Sequence, residues 1–216
     1  MMHESDFLRD LDRMRHGIVL IVGSGKTYKT GTYVQFYEHC PTLRRRRKSF
    51  VGMSDVSHIP AELNAHPCAS MFDIAVGDNG IMDDLAIWFP SRDKNIGLQR
   101  VMGTISHQDK LIFGTCQNTS NVDLALFRDQ RCIIIHKWMD PHGIVFERSD
   151  LQTYQNIANR KIKEASKRYG LHPIFFSYIP DYSELLCMPA VPAWYDERHS
   201  HALRYVRFTS KGEVVA

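Results

Sequence analysis

The stretch Gly17–Thr32, GIVLIVGSGKTYKTGT, decides how the rest of the chain is read. An aliphatic run, Ile18-Val19-Leu20-Ile21-Val22, stops at Gly23. A loop of Gly, Ser, Lys and Thr follows, and then the apolar-spaced Tyr33, Val34, Phe36 and Tyr37. Strand, glycine loop and helix in that order form the setting in which backbone N–H groups cradle phosphate. A glycine-rich turn that binds nothing would share this composition. The strong strand before it, the helix after it and two Lys-Thr pairs argue against that reading.

The phosphate-loop pattern G-x-x-x-x-G-K-[ST] fits in two registers. In the first it spans Gly23-Ser24-Gly25-Lys26-Thr27-Tyr28-Lys29-Thr30. Lys29 then reaches the β and γ phosphates and Thr30 holds Mg²⁺. Tyr28 stands where the second glycine belongs, and a side chain there should reshape the cradle. In the second register Gly25-Lys26-Thr27 closes the motif, but its first glycine becomes Leu20, inside the best strand of the chain. That register also leaves Gly31 in the following helix, at a cost of about 1 kcal/mol relative to Ala. Strand length and helix position favour the first.

With 216 residues, 44% of them hydrophobic, the chain is long and apolar enough to bury a core as one domain, with or without a small appendage. No apolar run is long enough to span a bilayer, and the charged start MMHESDFLRDLDRMRH has no signal-peptide core. The expected location is therefore cytoplasmic or virion-associated. Cys40, Cys68, Cys116, Cys132 and Cys187 are odd in number and widely spaced, which argues against a disulfide framework. His39, Cys40, His66 and Cys68 lack the tight pairs of a structural zinc site. Net charge is only +3, but Arg44, Arg45, Arg46, Arg47 and Lys48 form one block. Such a block is either a solvated edge or a contact for nucleic-acid phosphate or an acidic partner.

Strands and helices alternate through the first two-thirds of the chain. Ser49–Met53 and Met71–Gly77 are predicted as the second and third strands, Lys110–Cys116 as the fourth and Arg131–Lys137 as the fifth. Asp78-Asn79-Gly80 reads as the turn that ends the third. Ser54–Ser70 reads as connecting structure. Asp83–Phe89, Gly97–Ile105 and Val122–Asp129 read as helices. Unbroken apolar centres such as Ile133-Ile134-Ile135 suit parallel strands covered on both faces. The expected class is α/β, a three-layer sandwich, with residues 1–145 as core and 146–216 as a C-terminal helix and irregular extension packed on it. Asp150–Tyr169 is the amphipathic helix of that extension.

A nucleotide-hydrolysing site also needs an acid at the end of a neighbouring strand, and Asp78 after Ile74-Ala75-Val76-Gly77 is the candidate. Gln117, at the end of the fourth strand, is a candidate to orient water or sense the γ-phosphate. On GSGKTYKT, AVGDNG, FPSR, LIFGTCQN and RCIIIHK, the chain resembles the additional-strand class of P-loop ATPases from about Gly17 to Lys137. Within that class it is most similar to the compact FtsK/HerA-type group, which includes viral genome-packaging ATPases and zonula-occludens-toxin-like proteins. The resemblance implies a sheet ordered 5-1-4-3-2, ATP and Mg²⁺ as cofactors, and a ring of identical subunits around DNA. Capsid or portal-type proteins are further partners it suggests. It also implies an arginine finger from a neighbouring subunit, for which Arg92 is the first candidate and Arg128 the second.

Two departures from the family pattern stand out: Tyr28 for a loop glycine, and Asn79 where a catalytic glutamate usually follows the acid. An amide cannot take the water proton, so hydrolysis should be slow unless another acid, such as Asp83 or Asp84, supplies that role. Three functions therefore remain open on sequence grounds. They are a DNA-translocating or genome-packaging ATPase, a nucleotide-binding assembly or regulatory subunit with little turnover, and a non-enzymatic nucleic-acid-binding module. A small nucleotide kinase lacks its arginine-rich lid here.

Overall fold

The aliphatic run becomes strand β1, Gly17–Val22, with all six residues buried. Its side chains alternate between two cores. Val19 and Ile21 enter one with helix α1, Asp6–Arg13, and helix α2, Lys29–His39. Ile18, Leu20 and Val22 enter the other, on the opposite face of the sheet. Strict alternation into two apolar layers is why the whole run is hydrophobic rather than every second residue. The structure is a computed structural model and describes residues 5–57, 59–91, 103–127, 132–195, 207–208 and 214–215.

Around β1 the sheet is built from β2 (Lys48–Val51), β3 (Ala65–Cys68), β4 (Asn79–Met82), β5 (Leu111–Cys116) and β6 (Cys132–His136). It is completed by β7 (Phe176–Ile179) and β8 (Glu184–Cys187), in the order β3-β2-β4-β5-β1-β6-β7-β8. Pairings from β3 to β6 are parallel, and β7 and β8 add an antiparallel edge. The expected order 5-1-4-3-2 appears as β6-β1-β5-β4-β2. It is extended by β3 on one side and by β7 and β8 on the other. The register brings Val22 opposite Cys116 and His136, and Met82 opposite Gly114. The carboxyl ends of these strands therefore open onto one edge, where ligands of parallel sheets bind.

The third strand is not where the apolar run placed it. Met71–Asp73 is a single 3₁₀ turn, and the strand begins at Asn79. Asn79-Gly80 reads as a turn locally, but Asn79 is fully buried in the ladder and its amide reaches the Leu43 carbonyl. Gly80 is needed for packing: a Cβ there would lie 2.5 Å from Ile74 Cδ1. Ile74 thus folds back over the strand it was expected to belong to. Tertiary packing has overridden the local turn signal.

Residues 146–195 hold more regular structure than their proline and aromatic content suggests. Besides β7 and β8 they hold a long helix, Ser149–Tyr169, whose Ala158, Ile162 and Ala165 pack with Phe176 and Tyr178. Two short helices, α3 (Pro41–Arg45) and α4 (Leu85–Trp88), follow α2 and β4. A third, α5 (Pro141–Ile144), precedes the long helix, α6. The predicted helix Gly97–Ile105 lies largely outside the described residues, as do Arg92 and Arg128.

Candidate functional site

The loop after β1 is shaped by its neighbours as much as by its glycines. A Cβ on Gly23 would meet Lys137 Cβ at 2.7 Å and the Trp138 carbonyl at 3.1 Å. Ser24 N–H donates to the Trp138 carbonyl, and the Ser24 hydroxyl accepts from Asp140 N–H at 2.7 Å. Thr27 Oγ1 closes the loop by donating to the Ser24 carbonyl at 2.7 Å. Helix α2 then starts at Lys29. Lys29 and Thr30 are its first two residues, and Tyr28 precedes them with φ 67°.

Tyr28 therefore holds the left-handed conformation that a glycine would adopt without penalty, at a cost of about 1–2 kcal/mol. Its ring covers Gly31, where a Cβ would come within 2.7 Å of ring carbon. It also packs edge-on to Phe175 and Tyr195 at centroid distances of 6.0 and 6.5 Å. Gly31, an expense in an isolated helix, is the space into which Tyr28 fits. The segment carrying Tyr195 is tied along α2 by Gln35, which donates to the Met188 and Ala190 carbonyls.

Lys29 lies back over the loop and donates to the Gly23 and Ser24 carbonyls at 3.0 and 2.8 Å. Burial lowers its pKa, opposed by the negative charge of Asp83 and by Cys116 and Asp84. Lys26 is exposed. Thr30 donates from its hydroxyl to Asp83 Oδ1 at 3.2 Å. Thr115, on β5, donates to the same oxygen and accepts from Asp84 N–H at 3.0 Å. One buried hydroxyl thus orients both acids. Burial raises the pKa of Asp83 and of Asp84, with Lys29 acting in the opposite sense on each.

Asp78 does not join them. It precedes β4 at the other end of the sheet, where its carbonyl accepts from Leu111 N–H. Its carboxylate is held by Arg47 at 3.0 Å and by the Ser49 hydroxyl at 2.7 Å. Asn79 lies at that same distant end. The acids beside the loop are Asp83 and Asp84, directly after Ile81-Met82. That Asp-Asp pair after an apolar pair was the sequence signal, masked by the longer run Met71–Val76. Thr115 was missed because a threonine inside an apolar strand looks like core.

Gln117 follows β5 and lines an open cleft of about 380 Å³ together with Asp84, Pro90, Ser91, Asn118 and Asn121. Asp84 is the member of the acid pair that faces this cleft, whereas Asp83 faces Thr30.

The basic block is largely consumed by the fold. Lys48 is 1% exposed and donates to four carbonyls, those of Leu43, Arg44, Arg46 and Leu63. Arg46 donates to the carbonyls of Gly77, Met14, Arg15 and Asp109. Arg47 pairs with Asp78 and Arg44 with Glu38. Arg45 is exposed and makes no such contact among the described residues. The block sits at the amino ends of the strands, away from the phosphate loop. As a nucleic-acid surface it is reduced to Arg45 and the exposed parts of Arg44 and Arg47. Among the described residues no group of His, Cys, Asp and Glu could hold a metal ion by itself, and no helix is long and apolar enough to cross a membrane.

Lys137, next to the loop, is 1% exposed and donates to the Ser177 hydroxyl at 3.1 Å. Burial lowers its pKa to about 7; Cys187 opposes the shift and Lys29 adds to it. A lysine that is harder to protonate when folded destabilises the fold wherever it must carry charge. The penalty is full below pH 7 and fades as pH rises from there to the ordinary lysine value of 10.5. Lys137→Met should raise stability at pH 6 by about 1–4 kcal/mol. It should also flatten the rise in Tm between pH 7 and pH 10, which thermal melts across that range will show.

No family model matches the chain, and no curated protein matches its sequence. Solved structures do match. The DNA-packaging ATPase B204 of Sulfolobus turreted icosahedral virus aligns with a TM-score of 0.52 at 9% identity, covering 82% of this chain and 98% of that one. The genome packaging NTPase B204 of Sulfolobus turreted icosahedral virus 2, in complex with ATP-gammaS, aligns with a TM-score of 0.51 at 12% identity over 82% and 99%. The N-terminal domain of zonular occludens toxin from Neisseria meningitidis aligns over 56% and 77% at 19% identity, with a TM-score of 0.43. In keeping with the resemblance drawn from its loop and strands, the chain has the P-loop NTPase fold of the B204 proteins.

Proposed function

We propose that this chain is a Mg²⁺-dependent ATPase that acts on DNA as an oligomer, in the manner of a genome-packaging or DNA-translocating motor. The observation that carries the reading is the convergence of Lys29, Thr30 and Asp83 at the carboxyl ends of β1 and β4, the two strands that flank β5. In this reading the ATP phosphates lie on the Gly23–Thr30 loop, with its N–H groups and the start of α2 as donors. Lys29 exchanges two carbonyls for β and γ phosphate oxygens. Thr30 and Asp83 offer a hydroxyl and a carboxylate, the hard oxygen donors that suit Mg²⁺, and would hold it. The ion, when bound, neutralises charge building on the phosphates.

Asp84 accepts the proton of the water that attacks the γ-phosphorus, and Gln117 orients that water across the cleft. ADP is the leaving group. This assignment removes the sequence objection based on Asn79, because the second acid of the Asp-Asp pair takes the place given to the missing glutamate. Arg92 remains the candidate finger for a neighbouring subunit. The DNA part of the reading is supported by the DNA-packaging ATPase B204; the oligomer part rests on the family resemblance of the loop and strands.

Tyr28 favours a second reading, a nucleotide-binding subunit with slow turnover, because its ring covers the first turn of α2. Phosphate release measured with and without duplex DNA separates the two. A motor should show turnover that rises severalfold with DNA and needs Mg²⁺. Tight nucleotide binding without phosphate release would establish the second reading instead. DNA binding indifferent to nucleotide would overturn both.

A further inference from the structure

We propose that Glu147 and Arg148 are positioning residues that hold the loop after β5, and with it Gln117, at its working distance from Asp84. The inference rests on the hydrolytic reading given above. Thr119, two residues beyond Gln117, is fully buried. Each of its polar groups is taken by this dipeptide. Its N–H donates to Glu147 Oε1 at 2.9 Å, and its hydroxyl donates to the same oxygen. Its carbonyl accepts from Arg148 Nε at 3.0 Å. Arg148 also donates to the Val122 carbonyl at 2.7 Å and lies over the Phe127 ring at 4.8 Å. Two consecutive side chains from the start of α6 thus fix both ends of the turn Thr119–Val122.

Stability alone does not call for this arrangement. Glu147 is 4% exposed, and its second oxygen, Oε2, has no hydrogen-bond partner among the described residues. A buried carboxylate with an idle oxygen is an expensive acceptor for the Thr119 N–H and hydroxyl and the Arg148 N–H, since an amide or a hydroxyl would serve without the charge. Costly local choices of this kind concentrate where function needs a fixed geometry. Burial pushes the Cys116 thiol pKa up and the Glu147 charge adds to it, which places Glu147 beside the end of β5 that leads into Gln117.

The same helix also holds the phosphate loop. Asn159 takes both the N–H and the carbonyl of Met139, at 3.0 and 2.6 Å, and Gln155 donates to the Lys137 carbonyl at 2.9 Å. The segment they fix carries the Trp138 carbonyl and Asp140 N–H that bind Ser24. Helix α6 is therefore a rigid link between the loop that takes phosphate and the loop that carries Gln117.

The test uses the full chain with Glu147→Ala, Glu147→Gln and Arg148→Ala. It reads kcat, KM, the Kd of a fluorescent ATP analogue and amide hydrogen exchange at 117–122. A misplaced Gln117 should lower kcat by about tenfold to a hundredfold in Glu147→Ala and Arg148→Ala. Nucleotide Kd should stay within about twofold, because the phosphate loop keeps its own ties. Exchange at Thr119 should quicken in both. Glu147→Gln keeps an acceptor oxygen for Thr119 and should restore kcat. If Glu147→Ala does not fold, Arg148→Ala and Glu147→Gln carry the test alone.

Three results overturn the inference. One is wild-type kcat in the folded Ala variants. Another is equal loss of kcat and nucleotide binding. The third is a Glu147→Gln as poor as Glu147→Ala, which would make the carboxylate itself the acting group. A wild-type chain without turnover overturns the proposed activity as well, whereas turnover undiminished by the Ala variants overturns the positioning role alone.

Discussion

Lys29→Ala should lower ATP turnover roughly 10²–10³-fold, whereas Lys26→Ala should stay within about twofold of wild type. The difference follows from where the two ammonium groups sit. Lys29 is the first residue of α2 and bends back over the loop, satisfied by the Gly23 and Ser24 carbonyls. Both carbonyls belong to the backbone that would surround phosphate, so a short movement of Nζ exchanges neutral acceptors for anionic oxygens. Charge-assisted bonds of that kind are about twice as strong as neutral ones. Their value grows as charge develops on the leaving phosphates. Burial already lowers the Lys29 pKa, which means the bare site is a poor host for its charge. An arriving anion relieves that penalty. Lys26 is exposed and has no such interaction to exchange among the described residues. Steady-state phosphate release on both variants, with melting curves to confirm folding, checks the pair. Equal loss in the two would put the motif in its other register.

What the sequence revealed about this site depended on how local the determinants were. The strand, the loop and the helix start were legible because they lie within sixteen consecutive positions. Even the two oddities resolve within that stretch, since Tyr28 fills the gap left by Gly31. The acid was not legible. Strand β4 is only four residues long and opens with Asn-Gly, so nothing within it outweighs the richer run Met71–Val76. Only the packing of Ile74 over Gly80 shows which of the two is the strand. The basic block failed for a related reason. Composition counts charges, but it cannot show that carbonyls from α3, from the residues after α1 and from the turns before β4 and β5 converge on Arg46 and Lys48. Helix ends and turns leave carbonyls without backbone partners, and here the cations cap them.

The strongest consequence of relocating the acid is a pair of variants with opposite signatures. Asp83→Asn should reduce Mg²⁺-dependent turnover by about 10²–10⁴-fold, a loss of the size seen when a catalytic carboxylate is removed. It should nevertheless melt no lower than wild type. Asparagine keeps an Oδ1 for the Thr30 and Thr115 hydroxyls, and it removes a carboxylate that burial makes costly to ionise. Asp78→Asn should do the reverse. Asp78 is 3% exposed and paired with Arg47 and Ser49, so neutralising it should cost about 1.5–3 kcal/mol while leaving the chemistry in place. The pH dependence separates them further. Because the folded Asp83 carboxyl titrates above its ordinary value of 3.8, the native state binds its proton more tightly than the unfolded chain does. Its contribution to stability is fully present below that value and is lost as pH rises through the raised one. Metal binding runs the other way, since the donor must be ionised, so kcat/KM should fall as pH falls through the same interval. Asp83→Asn should abolish both trends, and Asp78→Asn should keep both. If Asp78→Asn instead loses turnover while Asp83→Asn retains it, the acid belongs at the amino end of β4. The convergence of Lys29, Thr30 and Asp83 would then have to be read as packing.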